Sequence, residues 1–239
     1  MNPYQQSVSQ YGYAGQRSAI DARARFIVRT YNHLFGALAL FTLTEIALFT
    51  SGVADRIALT LMSTGAGWLL VLGGFMVVGW LATRTAHTAQ SKAAQYAALA
   101  LYVMAEAIIF VPLLYIAERI APSTIKSAAA ISLVGFGALT GVVFVTRKDF
   151  SFLRGFLMWG GIAALLLIAA GAIFGFQLGT FFSVAMIGFA GAAILYDTSN
   201  VLREYPEDRY VAASLQLFAS VALLFWYVLQ LLLSLQSRD

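Results

Sequence analysis

Between Arg154 and Asp197 the chain carries no charged side chain, an uninterrupted run of 42 residues from Gly155 to Tyr196. As one helix, at about 1.5 Å per residue, it would measure roughly 60 Å, twice the ~30 Å hydrocarbon core of a bilayer. The run therefore reads as two crossings. The break falls at Gly175-Phe176-Gln177-Leu178-Gly179, where two glycines flank a strongly polar side chain.

The rest of the chain follows the same pattern. It is 60% hydrophobic and 11% charged, whereas a soluble domain carries roughly 25% charged residues. Apolar windows fall at 27–51, 57–83, 93–116, 127–147, 155–174, 178–198 and 210–235. Each is long enough for one helical crossing, so the expectation is an all-α polytopic membrane protein with seven transmembrane helices. Residues 26–239 form that single domain, and the polar residues 1–25 read as a short disordered cytosolic tail with no cleavable signal. The alternating ten-residue segments of an outer-membrane barrel are absent from the sequence.

The 15 basic residues set the expected orientation. With the N-terminus inside, the cytoplasmic segments hold Arg17, Arg23, Arg25, Arg29, Arg84, Lys92, Arg147, Lys148, Arg154, Arg203 and Arg209. The outer segments hold Arg56, Arg119, Lys126 and Arg238. The N-terminus is therefore expected in the cytoplasm. The net charge of +4 is accounted for by insertion and anionic lipid, with no nucleic-acid partner required.

Three acids fall inside apolar windows, where an ionisable side chain is costly: Glu45, Glu106 and Asp197. Glu106 is the deepest and reads either as a gating group or as a polar anchor between helices. Pro112, on the same window, frees a backbone carbonyl nearby. Glu45 is expected to reach toward the outer interface. Asp197 sits at the inner end of the sixth window and Arg84 at the inner end of the second. If those helices are neighbours, the two form a lateral bridge and a proton-sensitive latch; otherwise Asp197 is a helix-end carboxylate in cytosolic water.

Several classes of chemistry lack their residues. There is no cysteine, which removes disulfides, thiolate metal sites and thiol nucleophiles. A retinal-type protein needs a buried lysine, but Lys92, Lys126 and Lys148 lie at window ends or loops. An intramembrane aspartyl protease needs a second buried aspartate, and Asp21, Asp55, Asp149, Asp208 and Asp239 all lie outside the windows. His33 and His87 are poorly placed for a serine protease. No nucleotide-binding glycine pattern occurs. The expectation is no enzyme, no metal site and no cofactor. The spaced glycines Gly137/Gly141, Gly171/Gly175 and Gly175/Gly179 read as close helix packing.

Three strings carry a family resemblance: Ala-Ile-Leu-Tyr-Asp-Thr at 193–198, Arg-Lys-Asp-Phe-Ser-Phe-Leu at 147–153 and Ala-Ala-Ser-Leu-Gln-Leu-Phe at 212–218. In order and spacing they resemble the Bax inhibitor-1 family, the transmembrane Bax inhibitor motif proteins, from about Arg25 onward. The resemblance implies a bacterial inner-membrane protein with six helices around a central hydrophobic seventh. It implies a passive, pH-sensitive calcium leak, with Asp197 matching one aspartate of a two-aspartate sensor and Arg84 its arginine partner. The second aspartate is replaced by Ser220, in Leu217-Phe218-Ala219-Ser220. A single carboxylate loses the coupling of a pair and weakens any calcium site. The alternative implied by the resemblance is regulation of a membrane-anchored AAA protease of the FtsH type, partly through the N-terminal tail. Both readings place the protein in the lipid bilayer, with a permeating cation or a protease as partner.

Overall fold

The computed structural model describes residues 3–63 and 67–236, with side chains described for 20–63 and 71–236. Among these, all regular structure is helical: α1 Pro3–Thr50, α2 Val53–Ser63, α3 Gly67–Thr88, α4 Lys92–Ile120, α5 Pro122–Thr146, α6 Leu153–Phe174, α7 Gly179–Arg203 and α8 Tyr210–Gln236. Helices dominate because no backbone N–H or C=O can find water in hydrocarbon, and a helix satisfies each within its own segment. Six helices are individually long and apolar enough to cross a membrane: α1 from Ile20, α4, α5, α6, α7 and α8.

The window at 57–83 falls on two helices, contrary to the single crossing expected. With 11 residues, α2 is about 17 Å long, too short to cross. It lies instead against α4, packing Ala54 and Ala58 on Val111. The tail expected at 1–25 falls largely on residues whose side chains lie outside the described set; the backbone from Pro3 onward is part of α1.

The boundaries have local causes. Gly52 ends the α1 turn at φ 73°, a left-handed conformation that a Cβ disfavours. Pro122 opens α5, where its missing N–H costs nothing. The break expected at 175–179 is present: α6 stops at Phe174, Gly175 caps it in the left-handed region, and α7 starts at Gly179. Pro112 does not break α4, which runs continuously through it.

α8 is the hub, touching α1, α3, α4, α5 and α7. The heart of the core is an aromatic layer in which Phe110 of α4 stacks on Phe225 at 5.5 Å and meets Trp226 and Phe41 edge-on at 5.0 and 5.1 Å. In contrast, α6 packs chiefly on α7 and is exposed along most of its length. Large exposed apolar side chains such as Phe181, Phe174 and Val145 form the surface expected to face lipid tails.

Close approach uses the expected glycines only in part: Gly171 packs against its own turn, with its Cβ position 3.1 Å from the Phe176 carbonyl. A Cβ on Gly137 or Gly141 would meet nothing within 4 Å, so this pair does not seat a neighbouring helix. Gly160 does: its Cβ would lie 2.9 Å from the Phe189 ring, and this is where α6 leans on α7.

Candidate functional site

Asp197 lies on α7, five residues after the small-residue run Ala190-Gly191-Ala192, where a Cβ on Gly191 would lie 3.4 Å from Leu139 of α5. It is 2% exposed. The side chain is held from α8: Ser220 donates its hydroxyl to Asp197 Oδ2 at 2.5 Å, and Gln216, one turn earlier, lies near enough to interact with the same carboxyl. Positions 216 and 220 share one face of α8 because they are four residues apart. The Ser220 bond clasps α7 to α8 inside the bundle, six residues before the end of α7 and ten residues into α8.

That turn, residues 204–209, is fastened from three directions. Arg23 of α1 donates to Leu202 O at 3.1 Å and to Tyr205 O at 2.5 Å, capping the free carbonyls at the end of α7. Lys92 donates to the Asp208 carbonyl. Arg209 donates to Ala89 O at 2.7 Å, and Gln95 reaches the same carbonyl at 2.9 Å, so the end of α3 is tied to the same turn. Tyr205 stacks on Phe26 and His87, and its burial pushes the phenol up, with the Asp197 carboxylate adding to that shift. The 147–153 loop docks beside it. Arg203 donates to the Arg147 carbonyl, and the Phe150 amide donates to Ser199 Oγ at 3.2 Å.

The expected bridge between Asp197 and Arg84 is not formed. Arg84 is exposed and lies over the Trp80 ring of its own helix at 5.1 Å. Its helix packs on α2, α4 and α8, whereas Asp197 faces α8. The ion pairs among the described residues are Arg119–Asp55 and Arg209–Asp208. Nor is Asp197 the solvated helix-end carboxylate of the other reading, because it is buried.

Glu106 and Glu45 belong to a different part of the core. Tyr102 donates to Glu106 Oε1 at 3.0 Å, and the Tyr102 ring meets Phe218 edge-on at 6.1 Å. Phe218 and Ser220 are two residues apart on α8, about 200° around the helix, so Glu106 and Asp197 address opposite sides of it. Glu45 does not reach for the interface as expected. It is 7% exposed, and neither carboxylate oxygen has a hydrogen-bond partner. The His33–Tyr96 and Thr44–Met104 contacts show that α1 and α4 run parallel, which puts Glu45 near the level of Glu106. No group of three or more His, Cys, Asp or Glu among the described residues is arranged to hold a metal ion.

Gln216, Ser199 and Arg203 escaped the sequence reading. Gln216 had a detectable signal, since it lies one helical turn before Ser220. Ser199 and Arg203 sit one turn apart on α7 and had none until the 147–153 loop was placed against them.

Comparison with known proteins agrees with this architecture. The chain is similar over 204 residues to the Escherichia coli K12 protein named Modulator of FtsH protease YccA, at 27% identity, covering 83% of this chain and 89% of that protein. It is 37% identical over 120 residues to Bax inhibitor 1 of Schizosaccharomyces pombe, covering 48% of this chain and 44% of the yeast protein. A Pseudomonas aeruginosa protein of uncharacterised function is 36% identical over 112 residues, covering 49% of its length. The chain thus spans about half the length of these last two relatives. The family profile described as Inhibitor of apoptosis-promoting Bax1 matches residues 23–238. With its apolar helices and a match over nearly its whole length, this multi-pass membrane protein belongs to the Bax inhibitor-1 family.

Proposed function

We propose that this chain is a membrane-embedded regulator of a membrane-anchored protease of the FtsH type. The observation that carries this reading is the likeness to the E. coli modulator, which extends over 83% of the chain and 89% of that protein. The clasp at Asp197 fits a regulatory role, because it fixes α7 to α8 and so holds a rigid surface made of the 147–153 loop and the 204–209 turn. In this reading the chain crosses the inner membrane seven times, with α3 as the second crossing. The N-terminus and both of these loops face the cytoplasm, following the distribution of basic residues. Co-purification with an FtsH-type protease tests the idea. The full chain retains the protease and deletion of residues 1–25 weakens the association; no association with the full chain overturns it.

A second reading, a passive pH-sensitive cation leak, is favoured by the burial of three carboxylates, Glu45, Glu106 and Asp197, in an otherwise apolar core. Here the gate is the α7–α8 clasp, with Ser220 and Gln216 in the place the arginine was expected to take. Protonation of Asp197 weakens the hydrogen bonds it accepts, the two helices part, and cations pass the level of Glu106. Opening is then favoured as cytosolic pH falls through the Asp197 pKa. Calcium flux into liposomes across pH measures this directly, and a wild-type protein with no flux at any pH removes the reading.

A further inference from the structure

At the end of the bundle opposite Asp197, α6, α7 and α8 do not close on one another. They leave a cavity of about 410 Å³, within the range of small-molecule sites. Its walls join the 175–179 turn to the last third of α8. Gly171 favours the geometry: a Cβ there would lie 3.1 Å from the Phe176 carbonyl, tighter than an ordinary contact, so glycine eases the close return of the turn.

The lining combines apolar walls from Ile168 and Leu178 with the side chains of Gln177, Ser183 and Gln230. Ser183 is 2% exposed, yet its hydroxyl borders the cavity, and none of these three polar groups has a hydrogen-bond partner among the described residues. Gln230 stands six residues before the end of the apolar α8, where an unpaired amide facing lipid is expensive. Among the described residues, none of those lining the cavity is charged.

We propose that this cavity holds the glycerol diester region of a phospholipid. Two ester carbonyls are acceptors without donors, and the cleft offers the matching donors: two amide NH₂ groups and a serine hydroxyl. The uncharged donors of the described lining suit an uncharged ester better than a phosphate or a cation, and the headgroup then lies outside, in the interface. The acyl chains run down the exposed apolar surface beside the opening, where Phe174 and Phe181 are 78% and 93% exposed. The lipid thereby fills the gap that α6 leaves by standing away from α8. This assignment is independent of either functional reading.

Native mass spectrometry of the purified full chain tests it, with palmitoyl-oleoyl phosphatidylglycerol, phosphatidylethanolamine and phosphatidylcholine as probes and the single-chain lyso form of each as comparison. The wild type is expected to retain one diacyl lipid, to bind the three headgroups alike, and to bind each lyso lipid about fivefold more weakly, the loss of about one hydrogen bond. Gln177→Leu with Gln230→Leu is expected to lower retention about tenfold. A preference for one headgroup, equal binding of lyso and diacyl forms, or unchanged retention by the double variant overturns the proposal. The first two comparisons use only the wild type, so they decide the matter even where the double variant misfolds.

Discussion

Ser220 presents a hydroxyl to the buried carboxyl of Asp197, and the consequence is local and measurable. In this chain the hydroxyl is a donor to Asp197, so the pair is complementary instead of repulsive. Ser220→Ala leaves a buried acceptor short of one donor and should lower stability by about 1–3 kcal/mol in detergent unfolding. Ser220→Asp should make stability fall as pH rises, because two ionised carboxylates would then meet across one hydrogen-bond distance. A pH-independent Ser220→Asp variant would show that the two side chains are not in contact. The importance of Asp197 was legible because a charge in an apolar run is visible in any sequence. Its partner was not: Arg84 lies at a suitable depth, but depth along a helix does not say which helix is its neighbour or which way a side chain rotates. The same blind spot misplaced Glu45, whose distance from the window end suggested an interface and whose helix face turned it inward.

The connections between helices carry the next level of control. In the α5–α6 turn, the Ser151 amide donates to Asp149 Oδ1 at 2.8 Å, and this bond holds the carboxyl below its ordinary range, with the nearby Arg203 charge adding to the shift. Because the folded value is depressed, the stabilisation is fully present above the ordinary carboxylate pKa. It is lost as pH falls through the lower folded value. Hydrogen-exchange protection of the Ser151 amide should follow that course, and Asp149→Asn, which keeps an acceptor oxygen but cannot titrate, should flatten it. Helix contacts are testable through glycine: Gly160→Ala should cost about 1–3 kcal/mol by crowding Phe189, while Gly137→Ala, facing open space, should be neutral or stabilise by up to about 1 kcal/mol. Equal effects at the two sites would contradict the packing. Element boundaries were legible where chemistry marks them, as at Gly175 and Gly179. They were hidden at Ser63 and Gly67, because a hydropathy window averages across a helix boundary.

At the scale of the whole molecule, α8 organises the bundle by presenting Gln216 and Ser220 to α7 and Phe218 to α1 and α4. The family and its helical architecture were readable from three short strings and the apolar windows. The resemblance placed the last apolar window at the centre, but which side chains face which neighbour around α8 was not readable, since that depends on which faces meet. The central functional claim is that this rigid assembly modulates a membrane-anchored protease, and one measurement addresses it most directly. An FtsH-type protease is reconstituted in lipid nanodiscs with and without this chain, and the turnover of a membrane substrate is followed. Slower turnover in the presence of the full chain is the predicted result; turnover indistinguishable with and without it, at matched protein ratios, would contradict the account.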